Sequence, residues 1–171
     1  MDLWELEARE SIRDAISAYA HSGDRMKIEE LAEQFTEDGV LEIKGREPAV
    51  GRAPIVAMLT GATASSAETR RATQAAGERF YLRHNVASVR FESLSRDEAR
   101  VASYFLVVSP IGPDHWGRYR DLLVPVGARW LFKHRFVSVD GYAPGSRFGA
   151  NAASAPATSP SKSSSGPRRK R

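Results

Sequence analysis

Arg83-His84-Asn85 and Tyr19-Ala-His-Ser-Gly-Asp24 are the two short segments of this chain best suited to chemistry. The first lies in a strand-like run and the second closes an amphipathic helix. A histidine on a strand and an aspartate just past a helix can meet at one end of a cavity. The carboxylate then fixes the imidazole tautomer and supports its protonated form, and the imidazole serves as a general base near neutral pH. Leu82, His84 and Val86 alternate along one strand face. A lone histidine on such a face also suits plain core packing, and a bulge would turn it the other way. Asp24 has a structural reading as well, the N-cap of a following helix, worth about 1 kcal/mol. Whether the two side chains meet separates an enzyme from a binding module.

Two further residues join the candidate set. Tyr19 falls on the apolar face of the first helix, where a phenol packs while its hydroxyl seeks a partner. Arg135 shares one side of a strand with Leu131, Val137 and Val139. An arginine buried among apolar residues needs an anionic partner. That partner is a substrate or a carboxylate such as Asp24, unless the side chain reaches solvent. His134, its neighbour, must take the opposite face of a regular strand. His21, His84, His115 and His134 show no metal-ligand spacing, and no Gly-rich phosphate loop occurs. Neither a metal nor a cofactor is expected.

Composition sets the scale. A chain of 171 residues, 42% hydrophobic and 27% charged, is ordinary for one soluble domain. A domain of about 145 residues buries roughly 68–70% of its unfolded surface, enough for a real core. Cysteine is absent, which removes disulfides and thiol nucleophiles and suits a reducing compartment. Neither a secretory leader nor a membrane span is visible, so the expected location is the cytoplasm. The net charge of +4 misleads. Six of the 25 cations, Arg147, Lys162, Arg168, Arg169, Lys170 and Arg171, lie in a Ser/Pro/Ala-rich tail, and no Asp or Glu follows Asp140. The other 19 face 21 acids, so positions 1–145 are slightly acidic. Nucleic-acid binding by the folded part is therefore not expected. Residues 146–171 read as a disordered tail, whose last residues, Pro167-Arg-Arg-Lys-Arg171, read chiefly as a solubilising end, with a nuclear-import or polyanion-binding patch as the alternative.

The elements that must position these residues run helices first, strands later. Ile12, Ile16, Tyr19 and Ala20 recur with helical spacing in a helix from Leu3 to Ala20. A second helix covers Arg25 to Phe35, with Gly23-Asp24 as the turn between them. Phe35 to Gly39 reads as a turn, Val40 to Ile43 as a short strand, and Gly51-Arg-Ala-Pro54 as the start of a third helix. The polar stretch Gly61 to Gly77 is a loop, or a weak helix able to act as a lid. Four strands follow: Arg79 to Glu92, Ala99 to Ser109, Trp116 to Val124 and Arg129 to Val139. Short polar or Gly/Pro connections make them an antiparallel meander, and the whole an α+β fold. Trp116, Tyr119, Phe105, Phe132 and Phe136 read as core or cavity wall. The charges of Arg118-Tyr-Arg-Asp121 read as an open sheet face used for subunit contact.

These segments resemble the nuclear transport factor 2-like superfamily, and within it the SnoaL-like branch with scytalone dehydratase, lindane dehydrochlorinase and bile-acid 7α-dehydratase. The matching stretches are Ile12 to Ala20 with Gly23-Asp24, Phe35 to Ile43, Gly51 to Ile55, Arg83-His-Asn85 to Phe91, and Trp130 to Arg135. The resemblance implies a cone-shaped, curved antiparallel sheet packed on three N-terminal helices. It implies that Asp24 and His84 are the aspartate and base of a catalytic dyad. Tyr19 then matches a pocket-lining aromatic, and Arg135 the last-strand arginine of the dehydrochlorinase. Scytalone dehydratase uses a second histidine, for which His115 and His134 are candidates. The implied activity is that of a cofactor-independent dehydratase, lyase or isomerase acting on a small hydrophobic, polycyclic, polyketide- or terpenoid-like molecule, in a homodimer or homotrimer. The alternative is a non-catalytic binding or assembly module, like the β subunit of ring-hydroxylating dioxygenases.

Overall fold

The computed structural model describes residues 1–61, 80–146 and 148. The expected loop or lid from Gly61 to Gly77 lies outside these residues except for Gly61, as does nearly all of the tail. Helix α1 spans Leu3–Asp24. The Glu5 carboxylate accepts a hydrogen bond from the Asp2 backbone N–H (3.0 Å), which closes its first turn. Ala8, Ile12, Ala15, Ile16, Tyr19 and Ala20 form its buried stripe.

The helix runs one turn further than its apolar pattern suggests. The residue that breaks it is Met26, with φ of 60°, not Gly23. The Lys27 N–H bonds the Ser22 carbonyl (2.9 Å) and the Met26 N–H that of Gly23 (3.0 Å). This is the reverse-turn cap that a left-handed residue makes at a helix C-terminus. Asp24 is therefore the last residue of α1 rather than the cap of a second helix, and its carboxylate is left to act elsewhere. Helix α2 shrinks to Ile28–Ala32, beginning after Lys27. A third helix, α3, covers residues 52–61.

The strands are β1 Phe35–Ile43, β2 Ala49–Val50, β3 Arg83–Leu94, β4 Ala99–Ser109, β5 Gly112–Val126 and β6 Arg129–Tyr142. They form one curved, mixed sheet in the order β2-β1-β6-β5-β4-β3. The expected turn at Phe35–Gly39 is strand, with a register irregularity between Phe35 and Val40. The expected all-antiparallel sheet has one exception: β1 runs parallel to β6. Helices on one face and a meander on the other remain the plan of an α+β fold.

Two apolar clusters lie along the inner face. The larger joins α1 to the sheet through Ile12, Ile16, Phe35, Leu41, Leu123 and Phe132. The smaller, Leu82, Phe105, Val107 and Tyr119, lies toward the other end of the strands. One register row there reads His84, Val107, His115, Tyr142 across β3, β4, β5 and β6. Directly paired residues share a face, so this row places two histidines on the same side of the sheet. The C-terminus of α1 meets the same end.

Candidate active site

Asp24 and His84 meet. The His84 Nδ1–H donates to Asp24 Oδ1 at 2.6 Å. The carboxylate also accepts the His84 backbone N–H, at 3.2 and 3.1 Å to its two oxygens. β3 is an edge strand, and an edge leaves backbone donors without a ladder partner. Asp24 satisfies one of them and docks the end of α1 on β3. Because a carboxylate only accepts, Nδ1 carries a proton, and Nε2 lies on the far side of the ring from Asp24. His84 and Asp24 are largely covered, with 21% and 11% of their side chains exposed.

A second pair of the same kind faces the first. The His115 Nδ1–H donates to Asp114 Oδ1 at 2.8 Å. Neighbours on a regular strand point to opposite faces. Here the register against β4 slips between Val107 and Val108, so that Val107 pairs with His115 and Val108 with Pro113. Asp114 is the extra residue of a bulge, which lets its carboxylate lie beside the next ring. Asp114 also accepts hydroxyl hydrogen bonds from Ser109 (2.8 Å, to Oδ2) and Ser146 (2.7 Å, to Oδ1). The His84 and His115 rings lie edge to face, 6.5 Å between centroids.

The electrostatics follow from the packing. Burial alone would raise the pKa of Asp114, but the bonds from His115, Ser146 and Ser109 outweigh it and hold its carboxyl below the usual range. Burial lowers the pKa of His115 below its ordinary 6.5; Asp114 opposes that shift and His84 adds to it. Protonated His115 is thus a stronger acid than a free imidazolium.

Beneath the histidines lies a layer of aromatics. Phe105 stacks on Tyr119, centroids 4.6 Å apart, and meets His115 edge-on at 6.1 Å. Tyr119 in turn meets Tyr19. Burial raises the pKa of both phenols, with Arg135 pulling the other way. They stay protonated and can serve as donors. The charge of Asp24 reaches Tyr119 as well.

Arg135 is fully buried, and its anionic partner is Asp121. Its Nε and Nη2 donate to the two Asp121 oxygens at 2.8 and 2.7 Å. The two residues are direct cross-strand partners. The guanidinium carbon lies 4.0–4.2 Å from the ring centroids of Phe132, Tyr19 and Tyr119. Tyr119 points inward as expected, and Asp121 does too, unlike the open charged face expected of that segment; Arg118 and Arg120 are the exposed members. His134 bonds Glu42 at 3.0 Å and is half-buried.

Sequence reasoning brought Asp24 and His84 forward and held His115 only as a candidate. It gave no role to Asp114, Ser109 or Ser146. The one local signal was the Asp114-His115 dipeptide beside Pro113, since a proline near a strand start often accompanies irregular pairing. Among the described residues, no group of three or more His, Cys, Asp or Glu is arranged to hold a metal ion. Nor is any described helix long and apolar enough to cross a membrane.

Comparison with known proteins agrees with this architecture. The profile of a SnoaL-like domain matches residues 4–136. An NTF2-like protein with a cystatin-like fold from Novosphingobium aromaticivorans is 26% identical, with a TM-score of 0.65 over 85% of this chain and 90% of that one. A candidate scytalone dehydratase from the same organism gives 23% identity and 0.65 over 81% and 88%. ActVI-ORFA from Streptomyces coelicolor gives 20% and 0.65 over 80% and 97%. No curated protein matches the sequence significantly.

Proposed function

Because the chain belongs to the SnoaL-like domain family, we propose that it is a cofactor-independent lyase, a dehydratase of small hydrophobic ring ketones of polyketide type. His84 Nε2 removes a proton from the carbon next to a carbonyl. Asp24 keeps the tautomer that makes Nε2 basic and supports the resulting imidazolium. His115 donates its proton to the departing β-hydroxyl, which leaves as water while the C–C double bond forms. His84 then carries the extra proton and His115 lacks one. Transfer between the facing rings, through one water, resets the pair. Tyr19 and Tyr119 donate to the enolate oxygen. Arg135 acts through them: its fixed charge, held by Asp121, makes the phenols better donors. Positioned acid–base catalysis contributes roughly 10²–10⁴-fold, and a preorganised donor to the oxyanion about 3–4 kcal/mol more.

The observation that carries this reading is the 2.6 Å bond from His84 to Asp24, with a second histidine–carboxylate pair turned toward it. The candidate scytalone dehydratase neighbour supports the choice of dehydration among the reactions the fold hosts. The first step can be tested without the native substrate. α-Tetralone in D₂O exchanges its α-protons when a base abstracts them, and proton NMR follows the loss. The protein should accelerate exchange, and His84→Gln and Asp24→Asn should each remove the acceleration. Acceleration that survives both substitutions would rule the assignment out and leave the non-catalytic module.

A further inference from the structure

The Pro144-Gly145 step, read from sequence as the point where a tail begins, is a turn that folds the chain back onto the second histidine pair. Gly145 has φ of 89°, and the Ser146 N–H donates to the Ala143 carbonyl at 3.0 Å. Proline second and a left-handed glycine third are the residues a type II turn requires. The Ala143 N–H bonds the backbone carbonyl of Asp114 at 2.7 Å, which ties the turn to β5. The turn delivers Ser146, itself buried, so that its hydroxyl donates to the same Asp114 oxygen that accepts from His115. Two residues on, the Phe148 ring lies 4.8 Å from the His115 ring. The folded part therefore extends past residue 145, and its last described residues pack on the second pair and on the smaller apolar cluster beside it.

We propose that this C-terminal strap is a working part of the site, in which Ser146 is a positioning residue that sets the acidity of His115 through Asp114 and Phe148 is the wall that keeps water from its ring. The inference rests on the acid–base reading of the two histidines and adds a control to it. With the strap seated, Ser146 draws off part of the Asp114 charge. The carboxylate then holds the imidazolium proton less firmly, and Phe148 denies that charge its water. Both effects make His115 readier to give its proton up. With the strap released, Asp114 tightens its hold and water returns. The second pair is then a weaker acid, while the first is unchanged. A chain segment that covers the His115 ring and also tunes its acidity links the position of that segment to the step that expels the hydroxyl. The other titratable groups facing His115 are His84 from β3, with Asp24 of α1 behind it, and Tyr142 from β6. None of them belongs to the strap.

The test uses the full-length ¹⁵N-labelled protein without substrate. Long-range proton–nitrogen spectra follow each imidazole through a pH titration. Ser146→Ala and Phe148→Ala should each shift the His115 titration to higher pH, with a smaller effect on His84. Ser146→Thr, which keeps the hydroxyl, should titrate like the wild type. A His115 that titrates identically in the wild type and in Ser146→Ala overturns the proposal. So does a Ser146→Thr variant that behaves like Ser146→Ala, because the effect would then be packing alone. A shifted His115 with no acceleration of α-tetralone exchange would remove the proposed reaction and leave the coupling intact. An unshifted His115 removes the coupling whatever the exchange shows.

Discussion

Removing either member of the Arg135–Asp121 pair should destabilise the protein far more than removing both. Both side chains are fully buried and joined by two hydrogen bonds of 2.8 and 2.7 Å. Breaking such a pair leaves one uncompensated charge in the core, which costs about 3–5 kcal/mol. Asp121→Ala should lose that much. Arg135→Met should lose a similar amount, since it strands Asp121 and removes cation–π contacts worth roughly 0.5–2 kcal/mol each. For a chain of this size a loss of 1 kcal/mol lowers Tm by about 2–4 °C, so either single change should lower it by roughly 6–20 °C. The double change Arg135→Met with Asp121→Leu removes both charges and keeps most of the volume. It should be more stable than either single variant, with a coupling energy of about 3 kcal/mol or more. Urea unfolding followed by tryptophan fluorescence gives the three values, provided the m-value stays constant. Single losses below about 1 kcal/mol that simply add in the double variant would refute the account of Arg135 as a buried, aromatic-caged counter-charge. An Arg135→Met protein as stable as the wild type but unable to exchange α-tetralone protons would likewise refute that account and leave the guanidinium a part in the reaction alone.

Three other outcomes follow from the same geometry. Asp24→Asn leaves one oxygen for two His84 donors; if the backbone N–H takes it, the amide NH₂ faces Nδ1 and the ring moves its proton to Nε2. The long-range nitrogen spectra should show that tautomer, and α-tetralone exchange should fall by about 10²–10⁴-fold; a retained Nδ1–H tautomer contradicts this. Acid should destabilise the fold in two stages. The unfolded chain binds more protons than the native one wherever pH lies between the lowered native pKa and the ordinary value, so stability falls as pH drops below about 6.5 for His115 and again through the carboxylate range for Asp114. His115→Gln should flatten the first stage in calorimetric Tm measured against pH; an unchanged profile contradicts the assignment. Gly117→Ala should destabilise by about 1–3 kcal/mol or more, because its Cβ would lie 2.1 Å from the Ser138 carbonyl oxygen and 2.8 Å from the Phe105 ring; a denaturation midpoint equal to the wild type's would show that the sheet yields there.

The parts of the site that were legible in the sequence are those encoded by local periodicity or by motif. The α1 stripe and the meander strands follow from spacing, and Asp24 and His84 stand where a helix end and a strand start are expected to meet. The misreadings at the end of α1 and at Asp114 share one cause: local rules are overruled by backbone irregularities that only packing selects. Gly23 carried the stronger turn signal, yet the helix breaks at Met26, a residue with no preference for a left-handed conformation. That shift turns Asp24 from the cap of α2 into the carboxylate that docks β3. Asp121 looked like an exposed charge because Arg118 and Arg120 surround it, although its period-two position already put it on the side of Tyr119.

The bulge at Asp114 is the instructive case. A strict alternation would place His115 inward and Asp114 outward, and the neighbouring Pro113 hints at irregular pairing without fixing where the bulge falls. The bulge is stable because a buried carboxylate needs several donors at once, and only the inward position offers His115, Ser109 and Ser146 together. Those donors come from β5, β4 and the segment after β6, so the information that creates the second pair is spread over three places in the chain. The same distribution gives that pair its dependence on the strap. His84 is held by one helix end and one strand start, both fixed by the core. His115 is held by a carboxylate that also accepts from a residue beyond the last strand, and its acidity therefore follows the position of that segment.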